Sequence, residues 1–288
     1  MLGSDLLSKL SADHEVVGMD REELDITSAG DCQRAIEETG PDIVVNAAAM
    51  TDVDECETAK EQCFAVNAEA LRHIAESCRG KKIRIVHFST DYVFDGTARR
   101  PYKEEDPCHP VNVYGESKLA GERLLQSLSD DHLIVRTSWL YGSKGRNFVR
   151  SILEKAQAKH FIRDTMKKAK ATADGPSTLS VADDQVGSPT YTKDLAAAVA
   201  LLIEGNARGI FHVINRGSCT WHQFAVKILK ESGYDDIVVE PIKSEQLHRP
   251  ARRPMYSVLS LEKFYRATGK ITQPWQLALR DYLNGCKK

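Results

Sequence analysis

Short apolar runs alternate with longer segments of helical periodicity along most of this chain. The apolar runs predict strands buried in a parallel sheet at 42–46, 83–88, 132–137 and 210–214. The segments between them repeat apolar residues at helical spacing, which predicts helices such as those at 28–40, 195–203 and 221–229. Strands that alternate with helices indicate an α/β fold, with a doubly wound parallel sheet and a smaller C-terminal lobe.

The apolar run at 83–88 stops at two hydroxyls and a carboxylate, Ser89, Thr90 and Asp91. The carboxyl ends of parallel strands are where an open α/β sheet binds its ligands. One loop later, Tyr114 and Lys118 are four residues apart and so share one face of a predicted helix. An ammonium close to a phenol favours the phenolate and lowers the pKa of the phenol, which suits the pair to proton transfer.

The Tyr114–Lys118 pair is a weak signal when it is taken alone. The chain has nine tyrosines, so one Tyr-x-x-x-Lys arrangement is close to what chance supplies. The competing interpretation is a surface helix with a solvated lysine and a half-buried tyrosine. The hydroxyls at the end of the preceding strand favour the functional interpretation.

Several stretches, taken in chain order, identify a family resemblance that spans nearly the whole chain. The chain resembles the extended short-chain dehydrogenase/reductases and, within them, the dTDP-4-dehydrorhamnose reductases. The stretches that carry the resemblance are 44–54, 89–96, 114–118, 136–142, 183–190, and Arg253-Pro254 followed by Ser257.

The resemblance implies a division of the chain into two parts. We expect a Rossmann-like dinucleotide-binding core over residues 1–148, to which residues at about 191–214 return. Residues 149–288 would form a mainly substrate-binding lobe. This lobe includes a basic, polar insertion at about 156–180, longer than the family usually shows, which we expect to be exposed and partly mobile.

The resemblance also implies a reaction, the reduction by NADPH or NADH of the C4 ketone of dTDP-4-dehydrorhamnose. Tyr114 would donate the proton to the ketone oxygen, and Lys118 would assist it and hold the nicotinamide ribose. Thr90 would hydrogen-bond the same ketone oxygen. The residues expected to contact the substrate are Thr90, Asp91, Tyr92, Trp139 and Arg253.

The cofactor contacts are expected mainly from the first 51 residues. Gly3 matches the last glycine of the family's phosphate-binding turn. A predicted strand at 14–21 ends in Asp20, which could accept ribose hydroxyls, whereas Arg21 could pair with a 2′-phosphate. The choice between NADH and NADPH therefore stays open, and an acidic turn without function is the alternative for Asp20. The other expected contacts are Asp25, Ile26, Ala47, Ala48, Ala49, Thr51, Tyr114 and Lys118.

The beginning of the sequence departs from the family pattern. The first strand and the first two glycines of the phosphate-binding turn have no counterpart before Gly3. In this fold that strand lies in the middle of the sheet, so its neighbours would lose their hydrogen-bonding partners. We expect that the chain starts at an internal methionine. The alternative is a protein that has given up ordinary cofactor binding.

Two other functions compete with the reductase. The first is a non-catalytic, cofactor-sensing subunit resembling the regulatory β subunit of methionine adenosyltransferase, which the departures from the pattern favour. The retained Thr90, Tyr114 and Lys118 argue against it. The second is an epimerase or dehydratase of the same superfamily, but a dehydratase usually has a Glu after the Asp, and Asp91 is followed by Tyr92.

Composition limits the partners. The net charge of −2 and the pI near 6.5 give no electrostatic case for nucleic acid or an anionic membrane. No apolar run approaches ~20 residues, and no signal peptide is visible. The seven cysteines are scattered, which argues against disulfides and zinc and favours the cytoplasm. The acids at 52–57 are interpreted as helix caps rather than metal ligands, and a homodimer is one assembly that the sequence leaves open.

Overall fold

The computed structural model describes residues 1–168 and 177–286. Its strands are β1 Ile43–Asn46, β2 Arg84–Thr90, β3 His132–Thr137, β4 Leu140–Tyr141, β5 Ser177–Ala182, β6 Val186–Gly187, β7 Thr190–Tyr191, β8 Gly209–His212, β9 Cys219–Thr220 and β10 Ile237–Ile242. Its α-helices are α1 Leu2–Leu10, α2 Ala29–Thr39, α3 Val53–Thr58, α4 Lys60–Phe64, α5 Ala70–Cys78, α6 Val113–Leu128, α7 Phe148–Lys168, α8 Thr192–Glu204, α9 Trp221–Glu231, α10 Glu262–Thr268 and α11 Trp275–Cys286. A π-helical turn at Ala65–Glu69 joins α4 to α5, and 3₁₀ turns occupy Asp91–Val93 and Ser244–Leu247.

The main sheet has four parallel strands in the order β1-β2-β3-β8. Side chains alternate between its two faces, as the pleat of a strand requires. Ile85 and Ile134 point into a core formed with α2 and α5, whereas Val86, Leu133 and Val135 point into a second core formed with α1 and α8. The sheet is therefore covered by helices on both faces, and the predicted doubly wound α/β fold is confirmed.

A further apolar core lies among the C-terminal elements. It joins α7, α9 and α11 to the two-stranded parallel sheet of β5 and β10. Phe224, Ile228 and Leu279 are fully buried at its centre. This core supports the predicted lobe, while the boundary at residue 148 stays a prediction.

The predicted strand at 14–21 is wrong. Residues 15–20 are irregular and Val17 is 62% exposed. A strand needs a neighbour for its backbone N–H and C=O groups, and within the described residues this segment lies beside none. Asp20 instead closes a turn, because its Oδ1 accepts from the Glu22 N–H at 2.8 Å.

The insertion at 156–180 stays a prediction, but its expected exposure is wrong at Ala156. Helix α7 continues through this segment to Lys168, and β5 begins at Ser177. Residues 154–159 are strong helix formers, and Ala156 is fully buried against the C-terminal core. Phe161 is exposed as expected, and residues 169–176 lie outside the described part of the chain.

None of the described helices is long and apolar enough to cross a membrane.

Candidate active site

The candidate site lies where β2 ends and the 3₁₀ turn 91–93 begins. Thr90 is the last residue of β2, and its Oγ1 accepts from the Tyr92 N–H at 3.1 Å. The same hydroxyl donates to Asp91 Oδ1 at 3.1 Å. These two bonds fix the Thr90 hydroxyl at the carboxyl edge of the sheet, which is the position expected from the sequence.

Tyr114 reaches this hydroxyl from the first turn of α6. Asn112 caps that helix by accepting from the Gly115 N–H at 2.8 Å. The Tyr114 phenol lies close to the Thr90 side chain, and its ring meets the Tyr92 ring edge to face with 5.9 Å between centroids. Burial raises the pKa of Tyr114 above its usual value, and the nearby Thr90 hydroxyl opposes that shift. The phenol is therefore held in its protonated, donating form.

Lys118 contacts a strand residue in this structure, and its predicted role toward Tyr114 stays a prediction. The expected lowering of the tyrosine pKa by a neighbouring ammonium is wrong, because burial dominates and raises that pKa. Lys118 is almost fully buried and instead approaches His87 of β2, with 3.1 Å between Nζ and Nε2. Burial lowers the pKa of Lys118 to about 8, although Glu122 and Cys63 favour its charged form.

Asp91 is a buried carboxyl beside both tyrosines. Its pKa is raised to about 7 by burial, whereas the nearby Ser257 and the hydrogen bond from Thr90 act to lower it. Oδ2 of Asp91 is buried and has no hydrogen-bond partner among the described residues. A buried, unsatisfied carboxyl oxygen is costly and calls for an explanation, and a polar ligand in this site would provide one.

Arg253 brings the C-terminal segment to the site. Its guanidinium binds both carboxylate oxygens of Asp54, at 2.6 and 2.8 Å, and lies near the Tyr92 side chain. The interpretation of the acids at 52–57 as caps is confirmed for Asp52, which accepts from the N–H groups of residues 54 and 55. It is wrong for Asp54, because the oxygens of that carboxylate accept hydrogen bonds from Arg253 and from the Ala251 N–H.

The Asp54–Arg253 pair should make a measurable contribution to stability. The Arg253 side chain is only 9% exposed and the geometry is bidentate, so we expect a coupling of about 1–2 kcal/mol in the free energy of unfolding. A double-mutant cycle with Asp54→Ala and Arg253→Ala, followed by denaturant unfolding, measures it. The exposed pair Asp31–Arg34 on α2 is the control and should couple by less than about 0.5 kcal/mol. Equal couplings for the two pairs would contradict the prediction.

Trp139 forms an aromatic platform with a residue that the sequence did not single out. Its ring stacks on Trp221 with 3.5 Å between centroids and 6° between planes. Trp139 has a positive φ of 47°, rare for an aromatic residue, and a Cβ on Gly187 would lie 2.4 Å from its ring. Trp221 donates from Nε1 to Gln185 at 3.2 Å. The only sequence signal for Trp221 is a large aromatic at the start of an amphipathic helix.

The expected cofactor residues divide into two groups. Gly3 lies in the first turn of α1, and a Cβ built on it would be 3.8 Å from the Ala47 Cβ. Ala47 therefore lies near this helix start, and Ala47, Ala48 and Thr51 are exposed, which leaves this loop open to a ligand. In the second group, Asp20 and Arg21 lie in the exposed turn, Asp25 accepts from the Thr27 N–H and hydroxyl, and Ile26 packs against the core of α2 and α5.

A cluster of thiols lies behind α6. Cys56 and Cys63 are fully buried free cysteines with 2.8 Å between their sulfurs. Cys63 also contacts the Ser117 hydroxyl at 3.1 Å, and Asn67 donates to that hydroxyl at 3.0 Å. Within the described residues, no group of three His, Cys, Asp or Glu side chains is arranged to hold a metal ion.

Comparisons with known proteins find relatives that match nearly the whole chain. The profile of the family described as RmlD substrate binding domain matches residues 1–287. The chain is 40% identical to the dTDP-4-dehydrorhamnose reductase of Streptomyces griseus, over 98% of this chain and 89% of that protein. It is 38% identical to the dTDP-4-keto-6-deoxy-D-glucose reductase of Streptomyces niveus, over 97% and 92%. The structure of dTDP-4-dehydrorhamnose reductase from Bacillus anthracis in complex with NADP superposes with a TM-score of 0.89 at 33% identity, covering 99% of this chain and 95% of that one.

Proposed function

The chain belongs to the dTDP-4-dehydrorhamnose reductase family of the extended short-chain dehydrogenase/reductases, and we propose that it reduces the C4 ketone of dTDP-4-dehydrorhamnose with NADPH or NADH. The observation that carries the proposal is the approach of the Tyr114 phenol to the Thr90 hydroxyl at the carboxyl end of β2. Two hydroxyls that meet at a ligand-binding edge can hold one ketone oxygen between them.

Proton transfer is the step that this chain's own residues perform. When bound, the reduced nicotinamide supplies the hydride to the ketone carbon. Tyr114 donates its proton to the ketone oxygen, for which its raised pKa keeps it protonated at neutral pH. Thr90 would turn its one hydroxyl proton from Asp91 to that oxygen and so hold the ketone in place. Lys118 is one helical turn away and would add a positive charge when it is protonated.

The residues near α1 fit a dinucleotide. Gly3, Ala47 and Ala48 offer a surface without large side chains beside a helix N-terminus, where backbone N–H groups favour phosphate. We propose that Ala49 and Thr51 extend this surface and that Lys118 holds the ribose next to the nicotinamide. Asp20, Arg21, Asp25 and Ile26 would contact the adenosine end.

The residues around the Trp139–Trp221 platform fit a nucleotide sugar. The platform offers an apolar edge for a deoxysugar ring, and Tyr92 and Asp91 offer polar contacts next to Thr90. Because Asp54 occupies the guanidinium of Arg253, we propose that Arg253 acts on the substrate chiefly by holding Tyr92. The regulatory-subunit alternative does not account for the paired hydroxyls of Thr90 and Tyr114.

A second candidate substrate is dTDP-4-keto-6-deoxy-D-glucose, because a relative of 38% identity is named for its reduction. The two substrates differ in the stereochemistry of the sugar. The Trp139–Trp221 platform and Tyr92 would distinguish them by contact with the sugar ring. We expect the protein to consume NADPH or NADH in the presence of dTDP-4-dehydrorhamnose. The loss of reduced-nicotinamide absorbance measures this consumption, and chromatography identifies the product. Faster turnover of the D-glucose derivative would establish the second candidate. If the protein binds the cofactor but reduces neither sugar, the proposed reductase function is wrong.

A further inference from the structure

Three consecutive hydrogen-bond contacts link the loop after β1 to Lys118. The Ala48 N–H donates to Asn46 Oδ1 at 3.0 Å. Asn46 Nδ2 lies 3.3 Å from His87 Nδ1, and His87 Nε2 lies 3.1 Å from Lys118 Nζ. Asn46 and His87 are direct neighbours in the β1–β2 register, so the sheet itself holds the middle contact. Asn46, His87 and Lys118 are all at least 94% buried, so water does not replace these bonds.

The direction of this chain of contacts follows from its first member. A backbone N–H can only donate, so the Asn46 oxygen must face Ala48 and the Asn46 amide nitrogen must face His87. That nitrogen is a donor, which makes His87 Nδ1 the acceptor. Burial and the nearby Lys118 keep His87 neutral, and a neutral imidazole with an acceptor at Nδ1 carries its proton at Nε2. The group that faces Lys118 is therefore an N–H donor.

An ammonium cannot accept a hydrogen bond, whereas a neutral amine can. We propose that His87 is a positioning residue that presents an N–H to Lys118 and so favours the neutral amine before any ligand is bound. Protonation of Lys118 would move the His87 proton to Nδ1, where it would face the donating amide of Asn46. When Lys118 is charged, His87 can therefore keep its hydrogen bond to Lys118 or its hydrogen bond to Asn46, but not both. When Lys118 is neutral, both bonds are kept.

The other groups around Lys118 do not reverse this preference. Cys63 from α4 and Glu122 from α6 favour the ammonium. The Glu122 carboxylate is already bound by Arg136 of β3 at 2.9 and 2.7 Å, which offsets its charge. The significance of the resting state for catalysis rests on the proposed function: Lys118 would become charged only when a ligand offers it new acceptors. The contacts themselves do not depend on that function.

The test measures the protonation of Lys118 in the cofactor-free protein. Lysines labelled with carbon-13 at Cε report their charge in NMR spectra recorded across a pH series, and Lys118→Met assigns the resonance. We expect Lys118 to titrate at about 8 or below, far from the ~10.4 of exposed lysines. Asn46→Asp offers acceptors to both Ala48 and His87, so it should raise the pKa of Lys118 by about one unit, the equivalent of one hydrogen bond.

The control separates the hydrogen-bond chain from simple attraction by a new carboxylate. In a His87→Leu background, Asn46→Asp should lose most of its effect on Lys118. An equal effect with and without His87, or a Lys118 resonance that titrates with the exposed lysines, would overturn the proposal. If Asn46→Asp does not fold, His87→Gln serves instead: its amide oxygen can accept from the ammonium, so Lys118 should titrate at higher pH, and an unchanged titration would overturn the proposal. Because this experiment measures no turnover, a result against the His87 proposal would not count against the reductase assignment. Equally, a failed reductase assay would not count against the His87 proposal.

Discussion

Replacement of Tyr114 by Phe is expected to reduce turnover by about 10²–10⁴-fold, the usual contribution of a positioned proton donor. The substitution removes the hydroxyl that lies next to Thr90 and leaves the ring in place against Tyr92. The proposed cofactor contacts at Gly3, Ala47 and Ala48 lie on other elements, so the affinity for NADPH should change little. Because the lost hydroxyl acts in the proton-transfer step, the effect should fall on kcat and much less on KM.

Steady-state kinetics together with a cofactor titration test this prediction. Tyr265→Phe is the matched control, because Tyr265 lies on α10 and its side chain is 52% exposed, and it should keep full activity. A parallel loss of turnover and cofactor affinity in Tyr114→Phe would indicate a structural role for the phenol. Unchanged turnover would remove Tyr114 from the mechanism.

The central strands were predictable because their sequence signal is local. Parallel strands covered on both faces must be continuously apolar, and the runs at 42–46, 83–88 and 132–137 coincide with β1, β2 and β3 within one or two residues. The segment at 14–21 fails for the opposite reason. Its residues suit a strand, but strand formation depends on a neighbour elsewhere in the chain, and none of the described strands lies beside it.

In the candidate site, only the contacts between elements that follow each other in the sequence could be predicted. Thr90 ends a recognisable strand and Tyr114 begins the next helix, so their meeting follows from the βα connection. The contact of Lys118 with His87 depends on which strand faces α6. The Asp54–Arg253 pair joins residues 199 positions apart, and no local pattern encodes such a contact.

Gly115 is the residue whose enlargement should damage the site most without touching its chemistry. A Cβ at this position would lie 2.2 Å from the Tyr92 carbonyl oxygen and 2.9 Å from the Pro110 Cβ. Gly115→Ala must therefore push the start of α6 away from the 3₁₀ turn, and we expect a net loss of about 2 kcal/mol in the free energy of unfolding. The same shift separates Tyr114 from Thr90, and a displacement of about 1 Å can lower turnover by roughly 10²-fold.

A second glycine separates this steric effect from the helix preference of alanine. Gly30 is inside α2, and a Cβ there would meet nothing closer than the Ser28 hydroxyl at 4.0 Å. Because Gly30 is the second residue of α2, Gly30→Ala should stabilise the protein by at most about 0.5–1 kcal/mol, the value for a helix interior, and leave kcat unchanged. Denaturant unfolding and steady-state kinetics of both variants give the comparison. If Gly115→Ala is as stable and as active as Gly30→Ala, the close approach of α6 to Tyr92 is not what holds Tyr114 against Thr90. If instead Gly115→Ala loses turnover while its stability is retained, the spacing between α6 and the turn at 91–93 acts on catalysis directly.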